Sequence, residues 1–140
     1  MESEEYISCD GIRFHSGLAA RFYKQYKSCI LNKKTENAFC AIHHAAWACD
    51  DMKDNKNATR CRDLAIPLID KLISGKLRNK ENLKLIRADL LRRAGHFEKV
   101  ITDYSSTVFE NEIMDKVRKF QIKKAEQKDT LCYTVEEAVK

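Results

Sequence analysis

The stretch from Leu83 to Val108 constrains the fold more than any other part of the chain. It contains one glycine, Gly95, and an aromatic residue follows at Phe97. Apolar residues recur at helical spacing on both sides of the glycine. They are Ile86, Leu90, Leu91 and Ala94, then Phe97, Val100, Ile101, Tyr104 and Val108. Because glycine adopts the left-handed conformation that ends a helix at no steric cost, the chain reverses there. The pattern predicts an antiparallel helical hairpin.

The rest of the chain favours helix as well. Its 140 residues include only four glycines and one proline, too few for a many-stranded fold with tight turns. Helical periodicity predicts six or seven helices. Outside the hairpin they run over about 16–32, 35–52, 57–73 and 112–127, with a short last helix after residue 134. No linker rich in Gly, Ser or Pro divides the chain, so we expect an all-α single domain over 1–140 with a loosely ordered start over 1–12.

Several residues predict where helices begin, end or bend. Thr35 is a suitable N-cap for the second helix, and Asn79 for the fourth. The polar run over 53–57 predicts a turn. Pro67 lies inside the third helix, where a missing backbone donor predicts a kink or a break. Thr134 with Glu137 three residues later predicts a capping box.

The six cysteines do not indicate a secreted disulfide framework. The N-terminus is acidic and lacks the basic-then-apolar pattern of a signal peptide, and most of the cysteines lie within helical periodicity. We expect reduced thiols that act as small core residues. No apolar run approaches the ~18 residues of a membrane span. The sequence therefore predicts a soluble, cytoplasmic protein that makes no membrane contact and needs no cofactor.

The segment over 82–108 resembles a tetratricopeptide repeat. The residues that match the pattern of this family are Ala88, Leu91, Gly95, Phe97, Val100, Tyr104 and Thr107. A weaker copy lies upstream, with Lys53 in place of the turn glycine. Its matching residues are Ala46, Cys49, Ala58 and Ala65. The resemblance implies antiparallel hairpins stacked as a short right-handed array. Since the two turns are 42 residues apart, against ~34 in this repeat class, the loop near Gly75 is longer than usual.

The order of segments also resembles that of an uncharacterised bacterial family that joins a zinc ribbon to such hairpins, over about two thirds of the chain. The segments ADLLRRAGHFEKVI and KVRKFQIKKA carry this likeness. The paired CxxC motifs of the ribbon are absent from this sequence, so the likeness does not imply zinc. It supports the fold and implies no known activity.

The repeat resemblance implies a shallow groove lined by the first helix of each hairpin, which would bind a protein or peptide segment without catalysis. The groove positions are His43, Trp47, Asp50, Asp51, Asn82, Leu85, Asp89 and Arg92. Trp47 is the best anchor, unless it packs against the N-terminal helix. Arg92 could hold a partner carboxylate, unless it pairs with Asp89. Under the groove hypothesis, alanine at Trp47 or Arg92 weakens binding and leaves the melting temperature nearly intact.

Two other classes of function are weaker. Residues 56–99 contain twelve Lys and Arg against five Asp and Glu, and the helix over 112–127 is also basic, so nucleic-acid binding is the alternative. Solvated helix faces explain the same charges. Cys40 and His44 have the spacing of a ligand or catalytic pair, but no second ligand pair or catalytic motif accompanies them. We expect no metal and no enzymatic activity, and a homodimer would cover an apolar end of a short array.

Overall fold

The protein is all-α, as the sequence predicts. A computed structural model describes residues 6–7, 11–75 and 80–139. Within these ranges there are seven helices. They are α1 (Gly17–Leu31), α2 (Thr35–Asp51), α3 (Asn55–Ser74), α4 (Lys80–Arg93), α5 (Phe97–Tyr104), α6 (Glu112–Glu126) and α7 (Val135–Val139). None of the helices in the described ranges is long and apolar enough to cross a membrane. By its contacts the chain divides into two compact units, over 1–72 and 73–140.

The first unit is built around the α1/α2 pair. Ser16 caps α1, because its Oγ accepts a hydrogen bond from the Ala19 N–H at 3.1 Å. The inner face of α2 is rich in alanine, which allows another helix to approach closely. Its buried residues are Ala38, Phe39, Ala41, Ile42, Ala45, Ala46, Ala48 and Cys49. The ring of Phe22 on α1 contacts His44 on α2, so the two helices lie side by side as a hairpin.

A small strand pair precedes α1, and its first strand lies within the start over 1–12 that the sequence predicts to be loose or weakly extended. Strand β1 (Tyr6–Ile7) pairs antiparallel with β2 (Arg13–Phe14). Phe14 is fully buried, and its ring lies 5.5 Å from that of Tyr23 on α1. Strands of two residues are too short to produce a detectable alternation of apolar and polar residues. The contact between the Phe14 and Tyr23 rings attaches the strand pair to α1.

The second unit contains the predicted hairpin. Helices α4 and α5 flank Gly95, and α6 packs against both of them. The hydroxyl of Tyr104 donates to the carbonyl of Lys84 at 2.7 Å, which ties α5 to α4. The repeat positions Ala88, Leu91 and Val100 are buried, as a hairpin interior requires. The reversal at Gly95 predicted from the sequence is confirmed.

Four helices, α1, α2, α4 and α6, end in the same left-handed turn. At Gly95, φ is +90°, the N–H donates to the Arg92 carbonyl, and the next N–H donates to the Leu91 carbonyl. These two bonds satisfy carbonyls at the helix end. Lys33, Lys53 and Lys128 take the equivalent positions with φ near +55° and the same pair of bonds. The upstream hairpin thus turns without a glycine, and the left-handed conformation of Lys53 costs conformational free energy.

This shared turn predicts opposite effects for two substitutions. We expect Gly95→Ala to lower the free energy of unfolding by about 1–2 kcal/mol, the cost of left-handed φ for an L-residue. A Cβ at Gly95 would meet no atom within 4 Å, so the effect is conformational. We expect Lys53→Gly to raise the free energy of unfolding by about 0.5–1 kcal/mol, since glycine removes that strain but loses more chain entropy. Urea unfolding followed by circular dichroism measures both, and a stabilising Gly95→Ala would contradict the assignment.

Other boundaries depart from the sequence predictions. Thr35 is the first residue of α2, and Lys34 takes the N-cap position without a side-chain hydrogen bond, so the predicted cap is wrong by one residue. Helix α3 begins at Asn55, inside the predicted turn, and runs through Pro67 to Ser74, so a break there is excluded. Pro67 is exposed, and buried residues on both sides of it hold the helix. The predicted cap at Asn79 lies outside the described residues.

Of three C-terminal boundaries, the starts of α6 and α7 agree with the sequence predictions and the end of α5 does not. Helix α5 ends at Tyr104, four residues before the predicted end, and Val108 is 79% exposed. Helix α6 begins after Asn111, whose Oδ1 accepts from the Met114 N–H at 3.0 Å. The capping box before α7 is confirmed, because the Glu137 N–H donates to the Thr134 hydroxyl at 3.1 Å.

Candidate functional site

Five rings form a connected group on α1 and α2, which we call the aromatic cluster. Its members are Phe22, Phe39, His43, His44 and Trp47. His43 contacts Phe39 with 5.2 Å between ring centroids and Trp47 with 4.4 Å. His44 contacts Trp47 at 5.2 Å and Phe22 at 5.3 Å. The cluster therefore extends from the buried Phe39 to the exposed side of α2.

Trp47, like His44, is an exposed member of this cluster. Its side chain is 47% exposed, whereas Phe39 is buried and His43 half-buried. Residues four apart on a helix lie on one face, which explains the row Phe39, His43 and Trp47. Both rings that contact the indole within the described chain belong to α2 itself. A large aromatic side chain supported by its own helix and open to solvent has the geometry of a binding anchor.

The acidic residues after Trp47 differ from each other. Asp50 forms an ion pair with Arg62 of α3, and that arginine side chain is buried. Asp51 is exposed, and it lies four residues after Trp47 on the same helix face. Of the four groove positions on α2, the structure brings the half-buried His43 and the exposed Trp47 and Asp51 into one row. Asp50 takes part in the contact between α2 and α3.

Two cysteines of the described ranges, Cys40 and Cys49, lie in different surroundings. A hydrogen bond with Cys61, together with burial, raises the pKa of the Cys49 thiol, so it stays protonated and acts as a core residue. Cys40 is exposed on α2, three residues before His43. Within the described ranges no group of three or more His, Cys, Asp or Glu side chains has the geometry to hold a metal ion.

The four groove positions on α4 lie in the second unit. Asn82 is exposed, Leu85 and Asp89 are half-buried, and Arg92 is completely buried. Asp89 pairs with Arg92 at 3.0 Å, which is the alternative left open in the sequence analysis. Asn82 and Leu85 have no contact that gives them a binding role, and their assignment remains a prediction.

Arg92 holds three parts of the second unit together. Its Nε donates to Gln121 Oε1 on α6 at 2.6 Å, and its Nη1 donates to the Asp129 carbonyl at 2.7 Å. The guanidinium carbon also lies 5.6 Å from the ring centroid of Tyr133. With Asp89 as the third acceptor, every nitrogen of this side chain has an internal partner. Arg92 is thus not accessible to a partner and cannot belong to an exposed binding surface.

Part of the basic charge on α6 is used inside the protein. Arg118 is buried and donates to Asp115 at 2.8 Å and to the Tyr104 carbonyl at 2.7 Å. Its hydrogen bond, with a second from the Phe109 N–H, lowers the pKa of Asp115 to about 2. Lys124 lies 4.7 Å from the ring centroid of Tyr133. These contacts leave Lys116, Lys119 and Lys123 as the exposed cations of α6.

The exposed residues of the candidate site could be predicted from the sequence. The contacts between helices that support them could not. The single tryptophan and the helical spacing of His43 and Asp51 pointed to the row on α2. No pattern indicated that Phe22 of α1 completes the aromatic cluster, because contacts between helices depend on their packing. Comparisons of the chain with protein families, curated proteins and solved structures found no match, so the site is identified by its geometry alone.

Proposed function

We propose that this protein is a non-catalytic interaction module that binds a protein segment through the row His43, Trp47 and Asp51 on α2. The observation that carries the proposal is the 47% exposed indole of Trp47 within a cluster of supporting rings. An indole held by its neighbours loses little conformational entropy on binding. It offers a large apolar area and one hydrogen-bond donor. The cytoplasmic setting expected from the sequence, and a bacterial source, are part of this proposal.

The row also suggests the chemistry of the partner segment. A flat indole favours an apolar side chain or a cation above its face. Asp51 adds a carboxylate one helical turn away, and an exposed carboxylate favours Lys or Arg. We therefore infer a partner segment that combines one apolar anchor with a basic residue. The half-buried His43 extends the apolar contact on the other side of Trp47.

The experiment compares Trp47→Ala with a matched control, Leu31→Ala. Leu31 is an apolar residue of the same unit and is 82% exposed, and its ring-free side chain lies outside the aromatic cluster. Proteins captured by the wild-type chain are purified, and their dissociation constants are measured with each variant. We expect Trp47→Ala to weaken binding at least 30-fold, the effect of a hot spot of about 2 kcal/mol. Leu31→Ala should change the constant less than threefold.

Equal affinity of the wild-type chain and Trp47→Ala for every captured protein would overturn the proposal. Asp51→Asn provides a second variant that leaves the core untouched, and we expect it to weaken the binding of a basic segment several-fold.

The nucleic-acid alternative is supported by the exposed lysines of α6. It predicts retention on RNA or DNA at low salt that falls steeply as salt rises. That behaviour, with no dependence on Trp47, would favour the alternative.

A further inference from the structure

A polar cavity in the first unit has a different chemistry from the aromatic cluster. Its volume is about 460 Å³, and β2, the residues beside it and the first turns of α3 line it. Three cationic side chains line its walls, those of Arg13, Lys56 and Arg60. His15 also faces the cavity. The volume lies within the range of ~300–1,000 Å³ typical of small-molecule sites.

Two nearly buried side chains form a fixed part of the cavity wall. Asp54 is 4% exposed and Asn57 is 5% exposed. The Asp54 carboxylate accepts from the His15 N–H at 3.0 Å and from the Asn57 amide at 2.8 Å. The same amide nitrogen donates to the Arg13 carbonyl at 2.6 Å. The strand end and the helix start, some 40 residues apart in sequence, are therefore held together at this wall of the cavity.

The same network orients one of the cations. The Asn57 Oδ1 accepts a hydrogen bond from Arg60 Nη1 at 3.2 Å, so the guanidinium is held against the wall through one of its five donors. Lys56, one residue before Asn57, is exposed. Among the described lining residues Asp54 is the one carboxylate, and its charge is already solvated by two donors. Lys56 and Arg60 bring positive charge to this wall, and positive charge favours an anion.

We propose that this cavity binds a phosphorylated small molecule, with Arg60 and Lys56 contacting its phosphoryl group. A guanidinium presents donors that match phosphate oxygens in pairs, and lysine supplies a point charge. The volume exceeds that of a lone anion, so the rest of the molecule has room beside the phosphoryl group. Because the cavity and the aromatic cluster share no residue, this inference and the proposed function can fail independently.

Calorimetric titrations with pyrophosphate, AMP and adenosine test the inference. We expect pyrophosphate and AMP to bind with dissociation constants below a millimolar, and adenosine to bind at least tenfold more weakly. Arg60→Gln and Lys56→Gln should each weaken AMP binding at least tenfold. Lys24→Gln, which removes the same charge from an exposed position on α1, should change it less than twofold. Trp47→Ala should bind AMP like the wild-type chain.

Three results would overturn the inference. The first is the absence of heat with both phosphate probes at millimolar concentration. The second is an equal loss of affinity in Lys24→Gln and Arg60→Gln, which would indicate the general positive field of the protein. The third is binding of adenosine as tightly as AMP. Melting curves of every variant are compared first. If Arg60→Gln lowers the melting temperature, Lys56→Gln still tests the inference, because the Lys56 side chain is exposed.

Discussion

Arg92→Ala should lower the free energy of unfolding by about 3–5 kcal/mol, the largest effect we expect in the second unit. The variant removes a completely buried side chain and leaves the Gln121 oxygen and the Asp129 carbonyl without their donor. It also deprives the Asp89 carboxylate of its partner at 3.0 Å. A buried acceptor without a donor has lost its hydrogen bonds to water and has none in the protein. Relaxation of the surrounding structure therefore recovers only part of the lost free energy of unfolding. Urea unfolding followed by circular dichroism measures the change.

Two variants separate the role of the Arg92 guanidinium from that of its charge. Arg92→Lys keeps the positive charge but cannot present donors to three separate acceptors, so we expect it to recover less than half of the loss. Lys80→Ala removes a cation from the exposed start of the same helix, and its effect should stay within about 0.5 kcal/mol. Arg92→Ala with wild-type stability would restore the expectation from sequence that this residue is available to a partner.

Phe14→Ala should destabilise the first unit by about 3–5 kcal/mol, the range for removing a buried phenylalanine ring. Phe14 is fully buried against Tyr23. The backbone on either side of it bonds to Asn57 and Asp54. Loss of the ring therefore weakens the attachment of β2 to α1 and loosens the wall of the polar cavity. We expect the remaining folded protein to lose AMP binding as well.

Conservative variants check this explanation of the Phe14 effect. Phe14→Leu keeps an apolar side chain in the site and should cost less than half as much as alanine. Leu18→Ala, at a half-exposed position in the first turn of α1, should cost less than about 1 kcal/mol. A loss in Phe14→Ala no greater than in Leu18→Ala would show that β2 is not held through its aromatic ring.

The helices could be predicted because their signals are local. The turn at Gly95, the periodic apolar faces and the capping box before α7 each depend on residues within a few positions of one another. The left-handed Lys53 was harder to predict, since lysine has no intrinsic preference for that conformation. A break at Pro67 was wrongly predicted because tertiary packing of the residues around it outweighs the loss of one backbone hydrogen bond.

The proposed binding surfaces were only partly predictable because they depend on distant contacts. Trp47 was identified by its rarity and its large side chain, and it lies at an exposed position. Arg92 has an equally suggestive sequence position, but its burial depends on Gln121 and Asp129, about 30 and 37 residues later. The polar cavity joins Arg13 to Asn57 across 44 residues. No spacing rule in the sequence connects them.

The most direct test of the central claim is acrylamide quenching of tryptophan fluorescence, because Trp47 is the sole tryptophan and reports only on the proposed surface. In the free protein we expect efficient quenching, as its 47% exposure requires. A saturating amount of a captured partner should shift the emission to shorter wavelength and reduce the quenching constant at least twofold. Unchanged emission and quenching in the fully bound complex would contradict the claim that Trp47 anchors the partner.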